Sequence, residues 1–118
     1  MAETDQKEGE IEKVLKEYQI VQEQLRAAAL QTEQLQLQKT ELEGAKAEID
    51  KATGKVYITI GGVIVETSKE SATKEIAEKS ELVALRLQTA NKQYSELREK
   101  EKQLRGKIGQ LSNAAGAS

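Results

Sequence analysis

The sequence predicts a mainly α protein: a long antiparallel coiled-coil hairpin with one small β-hairpin at the helix junction. Three observations carry that expectation. Residues 11–50 and 70–111 each repeat apolar positions every seven residues. Between them, across residues 55–67, the period drops to two and is broken at Gly61-Gly62. The chain contains no Pro, so nothing in it forbids very long helices.

The first helix is expected over residues 11–50. One row is Val14, Val21, Ala28, Leu35, Leu42 and Ile49; the other is Ile11, Tyr18, Leu25, Thr32, Lys39 and Lys46. Alternating steps of three and four are the seam of a coiled coil. The second row turns polar from Thr32 onward, so the seam is richest near its start. Gly54 is the expected stop.

The junction reads as two strands. Lys55-Val56-Tyr57-Ile58-Thr59-Ile60 and Val63-Ile64-Val65-Glu66-Thr67 are rich in β-branched residues. A two-residue Gly-Gly connection tolerates the positive φ angles of a type I′ turn. That turn sets Ile60 opposite Val63, Ile58 opposite Val65 and Val56 opposite Thr67 on one face. Thr59–Ile64 and Tyr57–Glu66 fall on the other.

The second helix is expected over residues 70–111, with its seam at Ile76, Ser80, Val83, Leu87, Ala90, Tyr94, Leu97, Glu101, Leu104, Ile108 and Leu111. Thr67 and Glu70 suit a capping box. Glu70–Lys74, Glu75–Lys79 and Glu96–Lys100 have the favourable i,i+4 order. Residues 112–118 read as a flexible tail. With each helix about 60 Å long at 1.5 Å per residue, the hairpin would reverse the chain into a rod. The hairpin would stand at one end and both termini at the other. A length of 118 residues bounds all this to a single domain over residues 1–118.

Composition excludes several functions. With no Cys and no His, there can be no Cys/His zinc site, thiol nucleophile, Ser-His-Asp triad or disulfide. Carboxylate pairs such as Glu41/Glu43 and Glu99/Glu101 sit on convex helix faces without a pocket, and Gly61-Gly62 lacks the pattern of a phosphate loop. The expectation is therefore no enzyme, no catalytic residues, no metal and no cofactor. No apolar run approaches the roughly 20 residues that span a bilayer, and Met1-Ala2-Glu3-Thr4-Asp5 is acidic where a signal peptide is basic. That makes no membrane association and a cytoplasmic location the expectation.

Charge is divided unevenly. Residues 1–50 carry twelve acids and six bases, and residues 68–118 carry seven acids and ten bases. Opposite signs then face across the seam and help set the pairing. The basic residues Arg98, Lys100, Lys102, Arg105 and Lys107 are diluted by Glu96, Glu99 and Glu101, and no aromatic is placed to stack on bases. A solvated helix face fits better than a nucleic-acid site.

Two regions look unfinished. A two-stranded hairpin is marginal alone and leaves two edges open. Val56, Ile58, Ile60, Val63 and Val65 are therefore expected to join hairpins of other subunits. Leu82 and Leu85 either pack on that body or form a stripe without a partner. At the far end, Ile11, Val14, Leu15, Tyr18, Ile108 and Leu111 either close the seam or, beside the helix-weakening Gly106 and Gly109, open to a ligand.

The stretch from Lys55 to Glu66, followed by Glu78-Lys79-Ser80-Glu81-Leu82 and Leu85-Arg86-Leu87, resembles the beta-type subunit of prefoldin. The likeness covers residues 11–111. It implies an ATP-independent chaperone built from two alpha-type and four beta-type subunits. In it, hairpins form a β-barrel platform and coiled-coil tips hold unfolded proteins for a group II chaperonin. On that resemblance the expected partners are an alpha-type prefoldin subunit, further beta-type copies, unfolded clients and the chaperonin. The same six residues would then be the client-binding tip. The alternative is a structural coiled-coil tether or scaffold, which leaves the hairpin unmotivated.

Overall fold

The structure is a computed structural model and describes residues 2–116. Its elements, in chain order, are α1 (Ala2–Lys51), β1 (Val56–Ile60), β2 (Val63–Thr67) and α2 (Lys69–Gly116). Two long helices flank one antiparallel hairpin, as the change of period requires. Both helices outrun the heptad pattern. α1 begins nine residues before Ile11, and α2 continues through residues 112–116, where the sequence suggested a tail. Without Pro, a helix extends past its last seam contact while propensity favours it.

The chain divides into two compact units. One comprises residues up to Gln31 together with those from Ala90 onward; the other is Thr32–Thr89.

In the first unit, the early part of α1 packs on the late part of α2. Val14, Val21 and Leu104 form the buried cluster, and Tyr18, Leu25, Ile108 and Leu111 pack against it. Residues early in the chain meet residues late in it, so the helices are antiparallel here. Every one of these residues belongs to an expected seam.

In the second unit, α2 buries Ala72, Val83 and Leu87. From α1, Leu35 is buried and Leu42, Ala45 and Ile49 are half-buried, whereas Lys39 and Lys46 are exposed. The expected row thus gives way from Lys46 to Ala45. The step from Leu42 to Ala45 is three residues where the heptad has four, so the half-buried row runs Leu42, Ala45, Ile49. An alanine then faces inward, and the lysine, whose charge cannot be buried without a partner, stays in water.

The hairpin register matches the reading residue for residue: Val56↔Thr67, Tyr57↔Glu66, Ile58↔Val65, Thr59↔Ile64 and Ile60↔Val63. Gly61 at φ 54° and Gly62 at φ 85° supply the two left-handed residues of a type I′ turn. The cap of α2 differs from expectation. Ser68, not Thr67, is the N-cap: the Ser71 N–H donates to Ser68 Oγ at 3.0 Å, and the Ala72 N–H donates to the Ser68 carbonyl at 3.0 Å. Thr67 is still paired with Val56 in the ladder, so the next hydroxyl takes the role. Of the three expected helix pairs, Glu75–Lys79 closes at 3.3 Å.

One contact that ties the helices together here left no mark in the heptads. The Lys69 ammonium, in the first turn of α2, donates to the Asp50 carbonyl at 3.0 Å and the Ala52 carbonyl at 3.3 Å. The last carbonyls of a helix lack intrahelical donors and carry the negative end of its dipole, so a cation satisfies both needs.

Candidate functional site

Two surfaces carry the expected site residues, one in each unit. In the second unit, the sheet has only two strands. Val56 is 8% exposed, and Ala72, near the start of α2, is fully buried. Toward the turn the hairpin leaves cover. Ile58 is half-buried, whereas Tyr57, Ile60, Val63 and Val65 are exposed and Ile64 reaches 72%. Both faces thus show apolar side chains to water. Lys55 and Glu66 approach at 3.7 Å, but both are largely exposed, so the pair adds little stability. Leu82 and Leu85 of α2 are exposed as well. The oligomerisation candidates are therefore together on one hairpin, with Val56 already covered by its own chain.

In the first unit, the six tip candidates are also brought together. Val14 is buried at 4%, Ile11, Tyr18, Ile108 and Leu111 are half-buried, and Leu15, outside the seam rows, is 41% exposed. In the closed pair the apolar surface is thus mainly spent on the seam. Leu104, which the reading placed in the seam, is buried between them. A Cβ at either Gly106 or Gly109 would meet nothing within 4 Å, so packing does not demand glycine at these positions.

One polar contact inside this unit is legible only in part from sequence. Glu101 is the charged residue in the α2 seam. Its Oε1 accepts from the Tyr18 hydroxyl at 3.1 Å and lies 3.8 Å from Arg105 Nε. Arg105 is mostly exposed, so its share is small. The Tyr18 bond crosses from one helix to the other and fixes their register, the usual role of a polar seam residue. The heptad marks Glu101 as polar and Tyr18 as its kind of partner, but not that they meet. In a double-mutant cycle, Tyr18→Phe and Glu101→Ala are expected to couple by about 0.5–1.5 kcal/mol. The readout is the denaturant midpoint, and additive losses would show the two side chains to be independent.

Among the described residues no group of acids could hold a metal ion, and no helix is long and apolar enough to cross a membrane. What the two surfaces offer is non-directional apolar contact.

A chain with two heptad helices around one exposed hairpin defines a class of assembling coiled-coil proteins. Comparison with known proteins places it further. The family model described as prefoldin subunit matches residues 12–114. The prefoldin subunit beta of Pyrococcus furiosus is 35% identical over 101 residues, covering 84% of this chain and 86% of that one. The prefoldin subunit beta of Methanosarcina acetivorans is 30% identical over 103 residues, covering 86% and 88%. The crystal structure of the prefoldin beta subunit from Thermococcus strain KS-1 superposes with a TM-score of 0.77 at 34% identity, covering 84% of this chain and 89% of that one. The chain belongs to the prefoldin subunit family, in its beta-type, single-hairpin form.

Proposed function

We propose that this chaperone subunit works as a holdase arm within a hetero-oligomer containing an alpha-type subunit and further copies of itself. Its hairpin, through Val56, Ile58, Ile60, Val63 and Val65, supplies strands to a shared β-body. Its first unit, through Ile11, Val14, Leu15, Tyr18, Ile108 and Leu111, holds unfolded proteins without ATP and yields them to a group II chaperonin in the cytoplasm.

The observation that carries this reading is the hairpin, with two open edges and apolar side chains exposed on both faces. Such a surface is an association site waiting for its partner. A tether accounts for the helices and gives the hairpin no use.

Client chemistry follows from the first unit. Unfolded proteins share exposed apolar area and little else, so a recognition surface without directional contacts suits them. Val14 and Leu104 are already buried against one another's neighbours, so client contact at the seam exchanges one apolar partner for another. Each arm then binds weakly, and several arms together hold usefully.

The test is reconstitution with an alpha-type subunit from the same source. The expected result is a complex of one defined mass that suppresses aggregation of a chemically unfolded protein without nucleotide. A chain that stays a homodimer or simple bundle, or a complex that gives no protection, overturns the reading.

A further inference from the structure

In the second unit a groove of about 690 Å³ runs beside β1. Leu42, Ala45, Leu82 and Val83 make its apolar lining, Thr59 of β1 walls it, and Lys79 and Arg86 bring cations to it; Gln38 and Glu41 line it as well. Lys79 is held by Glu75 at 3.3 Å. Arg86 has no ion pair within 4 Å among the described residues. The cations have a sequence origin. Lys79 and Arg86 stand seven apart, each three residues beyond a seam residue, Ile76 and Val83, with exposed Leu82 between them.

The hairpin decides what can lie over this groove. In a two-residue type I′ hairpin the residues flanking the turn form a hydrogen-bonded pair, and the ladder alternates from there. Ile60↔Val63, Ile58↔Val65 and Val56↔Thr67 therefore exchange their backbone bonds. The backbone groups of Tyr57 and Thr59 then point outward from the free edge of β1. Those of Ile64 and Glu66 point outward from the free edge of β2.

A strand added to β1 must bond through Tyr57 and Thr59. If that strand is β2 of another copy, it must bond through Ile64 and Glu66. Residues directly opposite in a ladder project to the same face. The incoming Ile64 and Glu66 therefore fall on the face of Thr59, the residue that walls the groove.

We infer that the groove is a docking site for β2 of a second copy of this chain, with the incoming Ile64 seated against Leu42, Leu82 and Val83 and the incoming Glu66 paired with Arg86. This rests on the proposed hairpin assembly and names what sets neighbour choice within it. The chemistry is complementary. Ile64 is the most exposed large apolar side chain of the hairpin. Glu66 is the acid beside it on the same face, and its contact to Lys55 is exposed. Apolar contact supplies affinity, and the charge pair selects register and partner.

The experiment uses the complex reconstituted with the alpha-type subunit, diluted until assembly is incomplete. Arg86→Glu and Glu66→Arg are each expected to lower the fraction at full mass several-fold. Both in one chain are expected to restore it, because each copy supplies both halves of the contact. Lys55→Ala, which removes only the internal partner of Glu66, is expected to leave the mass unchanged. The chain has no Cys, so R86C copies mixed with E66C copies should be joined by a short bismaleimide far more than either alone.

A double charge swap no better than the single swaps overturns the inference and gives the groove to the alpha-type partner. So does absence of the mixed cross-link. If Ile58→Lys with Val65→Lys dissolves the complex while both charge variants leave it whole, hairpin assembly stands and the groove assignment falls. If the lysine variant also leaves the mass unchanged, both fall.

Discussion

Replacing Ile58 and Val65 by lysine is expected to dissolve the assembly while leaving most of the helical signal. The two residues are direct partners in the hairpin ladder. Their side chains share the face that also carries Val56, Ile60 and Val63. Burying one aliphatic side chain of this size is worth about 1.5–3 kcal/mol, so each subunit contact would lose that at two positions. Two ammonium groups directly opposite one another also repel, and neither can enter an apolar body without a partner. The helices should survive, because the buried seam residues Val14, Val21, Leu35, Val83, Leu87, Ala90 and Leu104 lie outside the hairpin and Lys69 still caps α1. Light scattering should report a fall from the complex to free subunits, with circular dichroism close to the parent. A variant that keeps the full mass places the assembly contact elsewhere.

The hairpin was the most legible part of this chain. Turn type, register and face assignment all follow from Gly61-Gly62 and the alternation around it, because in a two-residue loop the turn leaves the pairing no freedom. The α2 seam was equally open, since ten of its steps of three and four are filled by residues that the structure buries or half-buries. Where structure and repeat part, local geometry is decided by something other than pattern. Thr67 and Ser68 are both good N-caps by type, and only the extent of the ladder selects Ser68. Ala45 replaces Lys46 because a lysine without a partner cannot be buried, whereas the neighbouring alanine can. The bond from Tyr18 to Glu101 depends on the register between two distant segments, which heptads leave open by whole turns. Arg86 and Lys79 were visible as charges, but the groove they border exists only once β1 is folded beside α2.

The second large effect concerns client holding. Deleting residues 1–18 together with 104–118 is expected to abolish protection against aggregation and leave the oligomer intact. The deletion removes all six tip candidates with Leu104, while the hairpin and its groove belong to the other unit. Loss of activity on truncation could equally reflect a damaged arm, so a gentler pair of variants is needed. Gly106→Ala and Gly109→Ala put a Cβ where nothing lies within 4 Å. Each should strengthen α2 by about 1 kcal/mol, the difference in helix propensity between Gly and Ala. If clients are held by seam residues that part to receive them, stiffening raises the cost of parting. A cost of about 1.4 kcal/mol is tenfold in an equilibrium, so the double variant should protect markedly less well while being more stable. Amide exchange across residues 104–113 should slow in step with the loss. If the stiffened arms protect as well as the parent, clients are held without opening the seam, and Leu15 with its exposed neighbours is the surface that remains. If truncated complexes also protect, the clients are held away from this unit altogether, and Ile11, Val14, Tyr18, Ile108 and Leu111 serve only to close the coil.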